Sequence, residues 1–263
     1  MRRRSDKGHR CVALVLWLGL LSSPAHAQDN YEIQVYGSET MPKGTTMFEL
    51  HSNFTGEGRK TIEDSVFPTN HATHETLEIT RGFTTWFEVG FYTFTSVHSG
   101  IGWDWVGSHV RPRFMIPQSW RWPVGVSLSQ EFGYQRREYS PDTWGWEIRP
   151  IIDKQMGQWY WSLNPTLERS FKGENKGLGF EFSPNVQVSY DFTDKINGAL
   201  EYYGGMGPLR HWDPARQQEH QIFPAINLNL SPDWEFNAGV GIGLTRPTDH
   251  LIFKTIVGRR VKL

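Results

Sequence analysis

Polar and apolar residues alternate with a period of two along almost the whole chain after residue 27. This alternation is typical of β-strands with two different faces, whereas an amphipathic helix repeats every three to four residues. In the clearest block, Phe180 to Phe192, apolar side chains occupy every second position and Glu, Ser, Asn, Gln and Asp lie between them. Each such block therefore predicts a strand with one apolar and one polar face.

Gly, Pro, Asn and Asp separate these blocks, as they separate strands in general. We predict about twelve strands, near residues 45–54, 74–81, 86–96, 105–116, 123–135, 143–153, 158–170, 179–192, 196–206, 219–230, 234–244 and 251–263. The connections alternate between long polar loops, such as 55–73 and 207–218, and tighter turns, such as 193–195 and 231–233. Outer-membrane barrels place long loops outside the cell and short turns in the periplasm. The pattern predicts an all-β fold, a single antiparallel transmembrane β-barrel with both termini on the periplasmic side.

The residue types favour a barrel in lipid over a soluble sandwich, which also shows alternation. Gly, Ser, Asn and Glu crowd the polar face, as suits a confined lumen. The chain has twelve Trp. Several lie at block ends, where two interfacial girdles require them: Trp86, Trp105, Trp120, Trp122, Trp144, Trp159 and Trp234.

The first 27 residues have the three parts of an export signal: a basic start, an apolar run from Val12 to Leu21, and Ala25-His26-Ala27. The run is about half of the ~20 apolar residues that a spanning helix needs. We therefore expect a signal peptide at 1–27 and one barrel domain at 28–263. The only cysteine, Cys11, lies within the signal. Its removal excludes disulfides, thiolate metal sites and a cysteine nucleophile from the mature chain.

Removing the signal takes five Lys/Arg and one Asp from totals of 27 and 28, which leaves 22 positive and 27 negative side chains. This balance shows no footprint for nucleic acid. We expect outer-membrane lipid, small-molecule solutes and the outer-membrane assembly machinery as partners, with no nucleic acid and no cofactor.

The polar faces bring acidic and basic residues to the same side of the predicted sheet. The candidates for the lumen or its constriction are Glu88, His109, Arg111, Arg113, Glu131, Glu147, Arg149, Glu168, Glu181 and Glu201. We expect Arg111 and Arg113 to meet Glu131 across the ladder, and Glu131 to meet Arg149 or Glu147 in turn. These charges would either line a polar pore that selects solutes or form a salt-bridged plug. The sequence leaves both open.

Other chemistry is less specific. Several aromatic residues are expected in the lumen, where they would stack on a solute or simply fill space: Trp86, Tyr92, Phe94, Tyr160 and Tyr203. His71, His74 and Glu75 would suit a surface metal, although a solvated loop is the favoured interpretation. Common local motifs of hydrolases, metalloproteases and nucleotide-binding enzymes are absent. No catalytic, cofactor or metal residue is assigned, and an enzyme using His220 with Ser96 or Ser183 stays conceivable.

One turn carries a family resemblance. Residues 83–90 read Phe-Thr-Thr-Trp-Phe-Glu-Val-Gly, with echoes at 192–195 and 231–236. With the strand layout, this resembles the bacterial transporter-like outer-membrane barrels that include the phenol-degradation meta-pathway outer-membrane family. The resemblance implies an outer-membrane barrel with a transporter-like role. We expect a passive pore for small polar or aromatic solutes, with a lipid-acting barrel enzyme or a closed structural or adhesive barrel as alternatives.

Two features depart from the ideal barrel. Five prolines lie in mid-block on the apolar face: Pro112, Pro150, Pro165, Pro184 and Pro224. Because proline removes a ladder donor, we expect bulges there. The chain also ends Val261-Lys262-Leu263 without a terminal aromatic, and Arg259 falls on the lipid-facing side.

Overall fold

A computed structural model describes residues 30–262, which form a closed antiparallel barrel of twelve strands. The strands are β1 Thr45–Glu57, β2 Thr73–Gly82, β3 Phe87–His98, β4 Gly102–Met115, β5 Gly125–Gln135, β6 Asp142–Met156, β7 Trp159–Gly173, β8 Phe180–Thr193, β9 Ile196–Gly205, β10 Glu219–Leu228, β11 Trp234–Gly243 and β12 Leu251–Lys262. Each strand pairs with its sequence neighbours, and β1 closes the ring against β12. The predicted fold class is therefore confirmed. The predicted signal at 1–27 lies outside the described residues.

Alternation along each strand separates an inner from an outer face, because successive side chains of a strand point to opposite sides. In β1, Glu49 and His51 are buried in the lumen, whereas Phe48, Leu50 and Phe54 are about 40–50% exposed on the outside. Each of the other eleven strands also has at least one large apolar side chain exposed on the outside. A continuous apolar outer face of this kind is suited to lipid.

The two rims of the barrel differ. Loops 58–72, 136–141, 174–179, 206–218 and 244–250 lie at one rim, which we call the long-loop end. Most connections at the other rim, the short-turn end, are tight, such as 157–158 and 194–195. Exposed Trp side chains lie near both rims: Trp103, Trp105 and Trp144 at the first, and Trp86, Trp120, Trp122, Trp159 and Trp234 at the second. No helix within residues 30–262 is long and apolar enough to cross a membrane.

The prediction of bulges at the prolines is wrong. Pro165 faces Pro184 in register, and no register shift occurs at any of the five prolines. The shifts lie instead near Thr55, Phe94, Asp142 to Gly145 and Asp191. Because the fixed φ of proline is compatible with extended backbone, losing one donor leaves a gap in the ladder without inserting a residue.

Residues 30–44, here called the inner segment, lie inside the barrel, a feature absent from the prediction. Asn30 lies near the long-loop end, where its amide contacts Asp249, and the segment then descends to β1 at the short-turn end. We expected both termini at the short-turn end, but Asn30, the first described residue, lies near the long-loop end. Gly44, with φ of +80°, turns the segment into β1. A Cβ at Gly82 would lie 2.2 Å from the Met41 carbonyl oxygen, so the segment passes where only glycine fits.

Candidate functional site

Hydrogen bonds attach the half of the inner segment nearer the short-turn end to the barrel wall. The Ser38 amide and hydroxyl both donate to the Asp153 carboxylate, at 2.7 Å each. The Arg113 guanidinium donates to the carbonyl oxygens of Gly37, at 3.0 Å, and Glu39, at 2.8 Å. The contacts between Ser38 and Asp153 are buried, which strengthens hydrogen bonds, whereas those of Arg113 are partly buried.

Further contacts hold the middle of the segment. The carbonyl oxygen of Tyr36 accepts hydrogen bonds from Ser162 Oγ, at 2.6 Å, and Asn164 Nδ2, at 3.0 Å. Lys254 Nζ donates to the Ile33 carbonyl oxygen, at 3.1 Å. The segment makes more than ten hydrogen bonds to the barrel in all. Because these bonds are distributed along its whole length, the segment is packed against the wall as part of the fold.

The two predicted arginines of β4 pair differently from the expectation. Arg111 contacts Glu78 at 2.6 Å and Glu88 at 3.8 Å, and Arg113 contacts Glu88 at 2.6 Å. All four side chains are buried in the lumen. The expected pairing of Arg111 and Arg113 with Glu131 is therefore wrong. Sequence reasoning placed the partner on β5, whereas β2 and β3 supply it.

Glu131 takes a different partner, the Nδ1 atom of His109 on β4. Arg149 holds Glu147, its neighbour on the same strand, through two contacts of 2.8 Å. It also lies 3.8 Å from Glu32 of the inner segment. The predicted meeting of Glu131 with Glu147 is observed as direct cross-strand partners, but both are carboxylates, so Arg149 and His109 supply the positive charge.

Four predicted glutamates lie in one row. Glu131 faces Glu147, Glu147 faces Glu168, and Glu168 faces Glu181 across four consecutive strands. The tenth candidate, Glu201, is separate from this row. Its carboxylate lies 2.5 Å from Lys254 Nζ and accepts a hydrogen bond from the Tyr203 hydroxyl at 2.6 Å, and both charged groups are buried.

The inner segment lies between two cavities. The outer one, of about 1780 Å³, opens toward the long-loop end and includes His109, Glu131 and Arg149 in its lining. The inner one, of about 690 Å³, includes Glu78, Arg111 and other charged groups near the short-turn end. Between them, Ile33 and Val35 pack against Tyr203, Phe223 and Ile252, which closes one side of the lumen with apolar side chains.

The other side of the lumen is polar and incompletely paired. Within the described residues, several buried side-chain atoms have no hydrogen-bond partner: Glu78 Oε2, Arg111 Nε, Arg113 Nε, Glu131 Oε2, Ser127 Oγ and Ser129 Oγ. Buried polar groups in proteins are nearly always satisfied, by protein or by water. Their concentration beside the inner segment therefore indicates ordered water between the two cavities.

Other expected groupings are not formed. Trp86 is 43% exposed and stacks on Phe114 of the outer face, so it is outside the lumen. His74 points inward and is buried, whereas His71 stacks on Phe54 outside and Glu75 accepts a hydrogen bond from Ser52.

The metal site and the catalytic pair that were considered from the sequence are not formed among the described residues either. No group of three or more potential metal ligands occurs in residues 30–262. His220 Nδ1 hydrogen-bonds the Tyr202 hydroxyl at 2.7 Å, and Ser96 contacts His74 instead of His220.

The inner segment and its contacts are what sequence reasoning missed. Tyr31, Ile33 and Val35 alternate with Glu32 and Gln34, which was a usable signal for an extended segment before the first strand. In a barrel strand, such alternation separates buried from exposed side chains. Here, neighbours on both faces are buried, including Glu32 at 4% exposure, because the lumen surrounds the segment.

No protein-family model and no curated protein matches the chain, so the resemblance to the phenol-degradation meta-pathway family is not confirmed. Solved structures do match in fold. The COG4313 outer membrane channel from Pseudomonas putida F1 superposes with a TM-score of 0.58 at 10% identity, covering 88% of this chain and all of that one. The NanC porin gives 0.55 at 10% identity, with 82% and 100% coverage. The KdgM porin gives 0.51 at 10% identity, with 81% and 98% coverage. The chain therefore has the barrel fold of known outer-membrane porins and channels.

Proposed function

We propose that this chain is an outer-membrane pore through which ions and small polar solutes diffuse passively along a narrow, hydrated path beside the inner segment. The observation that carries the proposal is the set of buried, unpartnered polar atoms between the two cavities. Atoms such as Glu78 Oε2 and Arg111 Nε require water there, and a continuous file of water is the minimum that a small solute needs. The porin-like fold supports the same role.

The setting follows from the outer surface. The exposed apolar face would contact outer-membrane lipid. We further propose export through a signal peptide cleaved after Ala27 and insertion by the outer-membrane assembly machinery. Because the inner segment narrows the lumen, we expect transport of small solutes only, and of small aromatic ones where the charge permits.

A closed structural barrel is the second candidate, because the same inner segment fills much of the lumen with fixed contacts. The two functions differ in one measurable property, the permeability of the lumen.

Liposome swelling decides between them. Mature protein is reconstituted in liposomes, and swelling in arabinose, glucose and sucrose is compared with that of empty liposomes. We expect arabinose to enter faster than into empty liposomes and sucrose to be nearly excluded. Swelling at the empty-liposome rate in all three sugars, from protein shown to be folded, would reject the pore and favour the closed barrel.

A further inference from the structure

The row of glutamates in the outer cavity is unusual because like charges face each other. Directly opposed residues of neighbouring strands lie about 5 Å apart, and opposed like charges destabilise a sheet. Here the opposition is repeated three times, from Glu131 through Glu147 and Glu168 to Glu181. With strands about 4.8 Å apart, the row is about 14 Å long. It forms an extended acidic strip on one wall of the cavity, in which Glu131 and Glu147 already have His109 and Arg149 as partners.

The cavity as a whole is also acidic. Its lining contains eleven Asp or Glu residues and five Lys or Arg residues. Asp142 and Asp213 act electrostatically on Glu181 and add to its negative surroundings. A cleft lined by an excess of one charge concentrates solutes of the opposite charge. The outer cavity therefore favours cations over anions.

A set of aromatic rings, here called the aromatic band, lines the same cavity. Tyr31 of the inner segment lies 5.5 Å from Phe94 and 4.8 Å from His74, measured between ring centroids. Phe67 and Tyr139, from two loops at the long-loop end, have ring centroids 5.4 Å apart. All of these rings line the outer cavity. Aromatic faces attract organic cations through their quadrupoles, so the aromatic band and the acidic strip favour the same kind of solute.

The Tyr139 hydroxyl group stays protonated in this cavity. Its hydroxyl donates to the Asp104 carboxylate at 3.0 Å. Burial, together with this hydrogen bond, raises the pKa of Tyr139 well above its usual range. The ring is therefore neutral and electron-rich at ordinary pH, and a cation, the Arg136 guanidinium, already lies 5.7 Å from its centroid.

Both the acidic strip and the aromatic side of the cavity contain buried atoms that have no hydrogen-bond partner among residues 30–262. Glu131 is 7% exposed, and its Oε2 atom has no hydrogen-bond partner among residues 30–262. His74 and His98 are 3% and 7% exposed. Their Nε2 atoms also have no hydrogen-bond partner in that range. All three side chains line the outer cavity. Such atoms are costly unless water or a ligand satisfies them.

From these observations we infer that the outer cavity binds small aromatic amines in their protonated form. The ammonium group lies against the glutamate row and the ring lies against the aromatic band. The inference deepens the proposed function, since it names a solute class for the same lumen. It does not require that the bound amine crosses the barrel.

Isothermal titration calorimetry on folded mature protein in detergent tests this site. The probes are phenethylammonium, the neutral 2-phenylethanol and the anionic phenylacetate, which share a ring and a two-carbon arm. We expect saturable binding of phenethylammonium, weaker binding of 2-phenylethanol and none of phenylacetate. The double variant Glu168→Gln/Glu181→Gln should bind phenethylammonium roughly tenfold more weakly, because it removes two of the four carboxylates of the row. Raising the salt concentration should weaken binding by the wild type more than by this variant.

Glu235→Gln is the matched control, because it removes one carboxylate from the inner cavity. Its affinity for phenethylammonium should equal that of the wild type. Equal affinities for phenethylammonium and phenylacetate would overturn the inference, as would wild-type affinity in the Glu168→Gln/Glu181→Gln variant. Because binding is measured in detergent, amine binding without liposome swelling would reject the pore alone, and swelling without amine binding would reject the site alone.

Discussion

Lys254→Met tests how the barrel tolerates buried charge. Lys254 Nζ lies 2.5 Å from Glu201 Oε2, and the two side chains are 0% and 3% exposed. The substitution leaves the Glu201 carboxylate buried with only the Tyr203 hydroxyl as its observed donor. It also removes the bond from Lys254 to the Ile33 carbonyl oxygen of the inner segment.

The expected cost follows from the burial. Breaking one partner of a buried ion pair destabilises a protein by about 3–5 kcal/mol, because it leaves an uncompensated charge. The double variant Glu201→Gln/Lys254→Met removes that charge. It should cost about 1–2 kcal/mol, mainly for the hydrogen bond to Ile33. Arg260→Met is the matched control. Its pair with Glu235, at 3.0 Å, is about one third exposed, so the loss should be at most about 1 kcal/mol.

The assay is equilibrium unfolding in urea of mature protein in detergent, followed by tryptophan fluorescence. The order of stability should be wild type, Arg260→Met, the double variant and then Lys254→Met. A double variant at least as unstable as Lys254→Met would refute the reasoning, since neutralising Glu201 would then bring no recovery. Equal losses for Lys254→Met and Arg260→Met would refute it as well.

Further predictions concern the inner segment and the wall. Oxidising the pair Ser38→Cys/Gly125→Cys should leave single-channel conductance unchanged, because the segment is already fixed. A Cβ on Gly125 would lie 3.2 Å from that of Ser38, slightly shorter than the spacing in a disulfide, and the Asp153 carboxylate, 2.1 Å away, would have to turn aside. Each single variant is the control, and a current that falls on oxidation and returns on reduction would show a mobile segment instead. Gly241→Ala should cost about 1–3 kcal/mol in urea unfolding, because its Cβ would lie 2.2 Å from the buried Phe223 ring. Gly145→Ala, whose nearest atom would be 3.8 Å away, should cost much less, and equal losses would contradict this account of the wall.

Much of the fold could be predicted from the sequence because a barrel wall depends on local rules. Period-two alternation located all twelve strands within a few residues, and β9 begins at Ile196, where it was expected. The loop predicted at 97–104 is reduced to 99–101. There the strands β3 and β4 continue past their predicted ends, and the exposed apolar residues Val97 and Trp103 face each other in the extension.

The partners of lumen charges could not be predicted in the same way. Alternation shows that Arg111 and Glu131 both point inward, but a long inward side chain also reaches strands beyond its immediate neighbours. Arg111 on β4 contacts Glu78 on β2, two strands away, and Glu131 contacts His109 on β4. The position of the inner segment depends on contacts more than a hundred residues apart, such as Ser38 with Asp153. No short-range pattern records such contacts.

The central claim, a hydrated path beside a fixed inner segment, is tested most directly by single-channel recording of wild-type mature protein in a planar bilayer. Empty detergent is the control, and the protein must first be shown to be folded and inserted. The account predicts small, stepwise currents with one reproducible conductance, because the unpartnered atoms Glu78 Oε2, Arg111 Nε and Glu131 Oε2 require water. Silence under these conditions would contradict the account and show a barrel that the inner segment seals.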